Sequence, residues 1–202
     1  EGGTVTEQGV SVAGVSVDSG TASATDPDDT PSFVAESESG TYGDFSIGAN
    51  GAWTYTLNNA DPQTNALDDE DTSFDTFTVT AIDDDSATAT AVVTVTVQGS
   101  NDAPTVTATG SGSVTEDSAV SLATGTAGAI DPDDTPSFVV EGESGTYGSF
   151  SIGANGTWTY TLNNDDPQTD ALDAGETQFE TFTITAVDDD SATDTDEIVI
   201  AV

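Results

Sequence analysis

The run Asp26-Pro-Asp-Asp-Thr-Pro-Ser-Phe-Val34 recurs word for word from Asp131 to Val139. Phe45 to Gly51 recurs at Phe150 to Gly156, Trp53 to Asn59 at Trp158 to Asn164, and Asp83 to Thr88 at Asp188 to Thr193, always at an offset of 105 residues. A unit of that length can bury its own core, so the chain reads as two tandem copies of one domain rather than a solenoid of short repeats. The copies are assigned to residues 1–102 and 103–202. The register changes near the start, where Val5-Thr-Glu7 matches Val114-Thr-Glu116 at an offset of 109. Ala103-Pro-Thr-Val-Thr-Ala-Thr109 at the head of copy two has no counterpart in copy one, which is therefore expected to lack its opening strand.

Within each copy the pattern is that of half-buried strands. Trp53, Tyr55 and Leu57 alternate with threonines, as do Phe77, Val79 and Ala81, and Val93, Val95 and Val97. The matching positions of copy two are Trp158, Tyr160 and Leu162, then Phe182, Ile184 and Ala186, then Ile198, Ile200 and Val202. Asn50-Gly51 and Asn155-Gly156 predict two-residue hairpin turns with positive φ. Asn155-Gly-Thr157 also spells a glycosylation sequon, but copy one keeps the Asn-Gly without the Thr, which favours the turn. Asp61 to Leu67 and Asp166 to Leu172 predict single helical turns capped by the Asp before Pro. The expected fold is all-β: two tandem antiparallel Greek-key β-sandwiches of about seven strands each, of the cadherin or immunoglobulin kind.

The chain carries 38 Asp and Glu and no Lys, Arg or His. Without a cationic side chain no internal ion pair can form, phosphate attraction is lost, and an anionic membrane repels the chain, so neither a nucleic-acid partner nor membrane insertion is expected. With no His, Cys or Lys there is no Ser-His or Cys-His nucleophile, no Schiff base, and no nitrogen or sulfur ligand for zinc. A carboxylate-pair hydrolase stays formally open, but the reading is not an enzyme. No Cys means no disulfide framework, and no apolar run is long enough to span a bilayer. With no Met at all, the chain reads as a piece of something longer.

The carboxylates gather at strand ends: Glu7 or Glu116, Asp26 with Asp28 and Asp29 or Asp131 with Asp133 and Asp134, Asp68 to Asp71 or Asp173 and Glu176, and Asp83 to Asp85 or Asp188 to Asp190. Oxygen ligands alone suit calcium, which takes about six to eight. Asp-Pro-Asp-Asp is also turn chemistry, and a run of Asp can be a solvated loop; on the residues alone both readings stand. An EF-hand is excluded, because counting from Asp26 places Pro31 and Ser37 where Gly and Glu are needed.

Gly99-Ser-Asn-Asp-Ala-Pro104 at the boundary, then Val-Thr-Glu, Asp-Pro-Asp, Tyr-Gly-x-Phe-Ser-Ile, Asn-Gly-x-Trp-Thr-Tyr-Thr-Leu and Phe-Thr-Val-Thr-Ala, together resemble the VCBS repeats of large bacterial RTX-type adhesins, which are cadherin-like modules. The resemblance spans nearly all of both copies. It implies calcium at the module junctions and an extender in an extracellular, cell-surface fibre, with neighbouring copies of the module as partners and any glycan or surface ligand held elsewhere in the parent protein. Leu67-Asp-Asp-Glu70 resembles the cadherin Leu-Asp-Arg-Glu motif, sixteen residues before Asp83. By that likeness Glu7, Asp68, Glu70, Asn101 and Asp102 of module one and Asp131, Asp133 and Asp188 of module two would serve the junction between them. Asp26, Asp28 and Asp83 would face a preceding module, and Glu116, Asp173 and Glu176 a following one. The linker has Gly99 and Ser100 where cadherins often carry an acid, and Glu176 stands one position later than the equivalent of Glu70. Two other readings are a filament subunit joined by strand donation or head-to-tail contacts, and a calcium-dependent carbohydrate-binding module.

Overall fold

The computed structural model describes residues 2–10 and 13–202, and the chain divides into two compact units, Glu1–Asp102 and Ala103–Val202. The first contains strands β1 (Gly2–Thr6), β2 (Val17–Thr21), β3 (Ser32–Phe33), β4 (Glu36–Ser39), β5 (Gly43–Ile47), β6 (Ala52–Leu57), β7 (Thr72–Ile82) and β8 (Thr88–Gln98). The second contains β9 (Thr105–Ala108), β10 (Ser111–Ser113), β11 (Leu122–Thr126), β12 (Gly128–Ile130), β13 (Ser137–Phe138), β14 (Glu141–Ser144), β15 (Gly148–Ile152), β16 (Thr157–Leu162), β17 (Phe179–Val187) and β18 (Thr193–Ala201). Each unit is a sandwich of two four-stranded sheets, β1-β8-β7-β3 over β2-β6-β5-β4 and β10-β18-β17-β13 over β11-β16-β15-β14. Module two adds the pair β12-β9. The all-β tandem-sandwich expectation holds. The strands outnumber the expected seven because two-residue pieces (β3, β13) form after the Asp-rich turns and module two has its extra pair.

One pairing departs from the antiparallel expectation: β1 runs parallel to β8, and β10 to β18. Parallel neighbours need a long connection between them, and here the rest of the module supplies it.

The alternation read from sequence is the core. Trp53, Tyr55, Leu57, Phe77, Val79, Val93, Val95 and Val97 are buried in module one, and Trp158, Tyr160, Leu162, Phe182, Ile184, Ile198 and Ile200 in module two. At its centre Phe45 stacks on Phe77 with centroids 4.6 Å apart, and Phe150 on Phe182 at 4.8 Å. Each buried aromatic or aliphatic side chain contributes about 1.5–3 kcal/mol of transfer free energy, so these ranks hold the two sheets together without any disulfide.

A polar tie crosses each core. Asp75, 3% exposed, accepts hydrogen bonds from the Tyr55 hydroxyl at 2.7 Å and from the N–H groups of Thr41 and Tyr42 at 2.8 and 3.0 Å. In module two Glu180 takes the same place, accepting from the Tyr160 hydroxyl and from the N–H groups of Thr146 and Tyr147. Burial and the adjoining carboxylate push both tyrosine hydroxyls well above their ordinary value.

The hairpins correct the turn expectation. Gly51 and Gly156 have φ of 79° and 76°, whereas Asn50 and Asn155 are not in the positive-φ region. The loop spans Gly48 to Gly51, closed by Gly48 N–H to Ala52 O at 2.9 Å. Asn50 Oδ1 instead accepts the Ala52 N–H, and Asn155 Oδ1 that of Thr157, so the Asn side chain shapes the turn from within. The single turn at Asp61 forms as expected, with Asn65 N–H bonded to Asp61 O at 3.0 Å and Gln63 N–H capped by Asp61 Oδ1 at 2.9 Å. Asp170 and Gln168 repeat it on Asp166. Among the described residues no helix is long and apolar enough to cross a membrane.

Candidate metal centres at the module ends

The long strand β7 separates the two acidic ends of module one: Asp68 to Asp71 precede it and Asp83 to Asp85 follow it. Eleven residues of strand at about 3.4 Å each put those ends roughly 35 Å apart. β17 does the same in module two, between Asp173 and Asp188.

At the end after β7, the loop from Asp26 comes beside the loop from Asp83. Asp26, Asp28 and Asp29 each offer an oxygen within 4.8 Å of the others, and so do Asp29, Asp84 and Asp85. Asp26 Oδ1 accepts the Asp28 N–H at 3.1 Å, and that N–H holds the Asp26 carboxyl below its ordinary range. Asp29 is pushed the other way, first by its side-chain hydrogen bond with Asp84 and then by burial and the charges of Asp26 and Asp83. Asp83 itself turns inward to its own loop, where Oδ1 accepts the Ala87 N–H at 2.7 Å.

Module two builds the same arrangement from the twins. Asp134, Asp189 and Asp190 bring oxygens within 4.8 Å of one another. Asp188, only 7% exposed, spends Oδ1 on the Ala192 N–H at 2.7 Å. Burial, with the charges of Asp133 and Asp134 beside it, pushes the Asp131 carboxyl up to about 7. Sequence reasoning selected the first Asp of each run, Asp83 and Asp188; the oxygens that converge across the loops belong to Asp29, Asp84 and Asp85, and to Asp134, Asp189 and Asp190. The missed signal was local: the first Asp of Asp-Asp-Asp-Ser-Ala caps its own turn, and the next two lie beside the neighbouring loop.

At the other end of module one, backbone hydrogen bonds join the segments that carry Glu7, Asp68 and Asn101. The Glu7 N–H bonds Gln98 O at 2.9 Å, the Ser100 N–H bonds Leu67 O at 3.1 Å, and the Val10 N–H bonds Asn101 O at 2.9 Å. These bonds bind the end of β1, the Leu67 turn and the segment after β8 into one cap. Gly99 is required there, because a Cβ would stand 2.2 Å from Asp68 O and 2.4 Å from Leu67 O. Glu7 is 1% exposed, whereas Glu70 is exposed. Burying a carboxylate this deeply is costly, because the charge loses its hydration.

In module two Glu116, Asp173 and Glu176 line one open cavity of about 640 Å³, together with Val114, Leu172 and Val202. Burial, then Asp117 and Asp170, raise the Glu116 carboxyl. Gly175, with φ of 97°, occupies the position equivalent to Glu70, and the turn brings Glu176 back so that its Oε2 accepts the Asp173 N–H at 2.9 Å.

These are cadherin-like sandwiches with acidic ends. The description "bacterial cadherin-like domain" matches residues 1–99 and again 101–202, and the chain belongs to that family. Among solved structures it is similar to protocadherin gamma C5 EC1-3, with a TM-score of 0.55 and 14% identity over 100% of this chain and 65% of that one. It is also similar to Drosophila N-cadherin EC1-4, with a TM-score of 0.50 and 16% identity over 86% of this chain and 41% of that one. The chain thus spans less than half of the N-cadherin fragment and under two thirds of the protocadherin one. Among curated proteins, none matches in sequence. Tandem cadherin-like domains have an extracellular adhesive or structural role.

Proposed function

We propose that the chain is an extender in a bacterial surface protein or adhesin of the VCBS and RTX kind, stiffened by calcium held between successive modules. Hard oxygen donors fit that ion: the carboxylates that converge at the module ends have neither nitrogen nor sulfur beside them. The observation that carries the reading is the same carboxylate triad in both modules, Asp29 with Asp84 and Asp85 and Asp134 with Asp189 and Asp190. Close carboxylates repel by roughly 4 kcal/mol per pair at an effective dielectric near 20, so a chain that keeps two such groups is suited to a cation.

In this reading Asp131, Asp133 and Asp134 with Asp188 to Asp190 offer one half of a junction. Glu7, Asp68, Glu70, Asn101 and Asp102 of the preceding module offer the other. Asp26, Asp28, Asp29 and Asp83 to Asp85 serve the module before, and Glu116, Asp173 and Glu176 the one after. Extracellular sites of this kind bind with dissociation constants of about 10⁻⁴ to 10⁻³ M, so they fill outside a cell and empty within it. Linked domains move freely unless their interface is fixed; shared cations convert the linker at Asn101 and Asp102 from hinge to strut. Small-angle scattering and melting curves in millimolar calcium and in chelator test the proposal. A longer, narrower particle with a higher melting temperature in calcium supports it, and identical curves overturn it.

A further inference from the structure

From Thr72 to Ile82 and from Thr88 to Gln98, every second side chain of β7 and β8 points away from the core, and none of those residues is acidic. Most are threonines. Two are exposed apolar side chains, Phe74 at 58% and Val92 at 55%. In the antiparallel register Phe74 lies opposite Thr96 and Val92 opposite Thr78, which sets the two on neighbouring strands and roughly 14 Å apart along them. Thr76, opposite Thr94, lies midway between.

That layout is self-complementary. A two-fold axis lying along the face and passing the Thr76–Thr94 pair sets Phe74 of one copy on Val92 of the other and Val92 on Phe74, the isologous contact of a symmetric pair. Charge selects the same occupant. Copies of a chain with formal net charge −38 repel one another, and an acid-free face lets two of them meet without pressing carboxylate against carboxylate. A basic partner would be drawn to the carboxylates and away from this face. Module two supplies the contrast. Its twin strands keep the aromatic, Phe179 at 67% exposed, but the twin of Val92 is Glu197, exposed and opposite Thr183. The same rotation there would bury two carboxylates.

We propose that the β7–β8 face of module one is a self-association surface, through which two copies of this chain pair flank to flank with Phe74 and Val92 as anchors. Two strands of eleven residues cover roughly 350 Å² of sheet, or roughly 700 Å² over two copies, short of the roughly 1,200 Å² at which stable interfaces begin. The pair is therefore weak and forms where copies are crowded. It does not rest on calcium, which concerns the acidic ends.

The test uses the whole chain in chelator, so that no divalent ion bridges carboxylates. Sedimentation equilibrium from tens of micromolar to several millimolar protein should show monomer and dimer, with more dimer in half-molar sodium chloride than at low salt, because screening weakens the repulsion and no ion pair is lost. Val92→Glu, an exchange that module two already accommodates, should weaken the dimer on the order of tenfold or more while the melting temperature holds, and Phe74→Ser should do the same. The chain has no cysteine, so Thr76→Cys places a single thiol beside the axis. Packed sheets stand about 10 Å apart, a span that a short bismaleimide bridges; it should couple Thr76→Cys chains far faster than chains with Thr181→Cys, the twin position of module two. A chain that stays monomeric at every concentration and salt overturns the proposal. So does a dimer that salt weakens, that Val92→Glu leaves intact, or that couples equally through both positions.

Discussion

Replacing Tyr55 by Phe deletes one hydroxyl and leaves the ring free to pack against Phe77. That hydroxyl is one of three donors to Asp75, at 2.7 Å, the others being N–H groups at 2.8 and 3.0 Å. Asp75 is 3% exposed and the chain contains no cation, so neutral donors alone hold its charge. A hydrogen bond to a charged group contributes about 1.5–3 kcal/mol net. Tyr55→Phe should therefore cost module one about 2 kcal/mol, which for a domain of this size lowers its melting temperature by roughly 8–16 °C. Differential scanning calorimetry should show the transition of module one moving while that of module two stays. Tyr42→Phe is the control, since the Tyr42 hydroxyl meets only the Ser73 hydroxyl at 3.2 Å; its loss should cost no more than about 1 kcal/mol. If Tyr55→Phe shifts the melt no further than Tyr42→Phe, Asp75 is not held as a buried charge by tyrosine and the reasoning fails.

Alkaline titration probes the same ties. A tyrosine whose folded value lies above its ordinary 10.0 contributes stability that is complete below that pH and lost as the pH climbs beyond it; tyrosinate absorbance from Tyr55 and Tyr160 should appear together with unfolding and not before. Glu7→Gln should melt several degrees higher than the wild type in chelator, because a charge buried to 1% exposure no longer has to be stripped of water, and lose part of the calcium-induced gain; an unchanged calcium gain, read by scanning calorimetry, removes Glu7 from the ligand set. Gly51→Ala should lower module-one stability by about 1–3 kcal/mol in denaturant melts, because φ is 79° and the new Cβ would stand 2.4 Å from Ala22 O. Phe77→Ala removes one ring of the central stack and should cost about 3–5 kcal/mol in the same assay.

The sandwich was legible because threonine alternates with apolar residues over long runs, and a period of two admits only one buried face. The Asp75 and Glu180 ties were not. They sit in register with Phe77 and Phe182 on the packed face, where an acid reads as a turn, and their tyrosine partners lie 20 residues away. One signal was available: the twin positions exchange Asp for Glu while Tyr55 and Tyr160 are kept. Phe74 and Phe179, exposed at 58% and 67%, mislead in the other direction, since an aromatic in a strand reads as core. At the acidic end that follows β7, the sequence pointed to the two loops whose carboxylates lie close together. It could not say which oxygen of each Asp run is consumed by its own backbone, because that depends on the turn closed by Ala87 or Ala192.

Charge placement links the fold to the proposed use. The outward positions of β7 and β8 are Thr76, Thr78, Thr80, Thr90, Thr94 and Thr96, with Phe74 and Val92 among them, so this face of module one carries hydroxyls and apolar groups, while Asp18, Glu36, Glu38 and Asp44 stand on the other sheet. Many of its carboxylates are consequently concentrated at the two ends of an eleven-residue strand. Over roughly 35 Å the two ends scarcely sense each other, because at physiological ionic strength the screening length is about 8 Å. Repulsion is therefore a property of each end, and sharpest where three oxygens lie within 4.8 Å. Monovalent salt screens such close groups poorly, whereas a cation bound among them removes the repulsion at its source. The close carboxylates at the ends of β7 are therefore the groups on which a bound divalent ion has the largest effect.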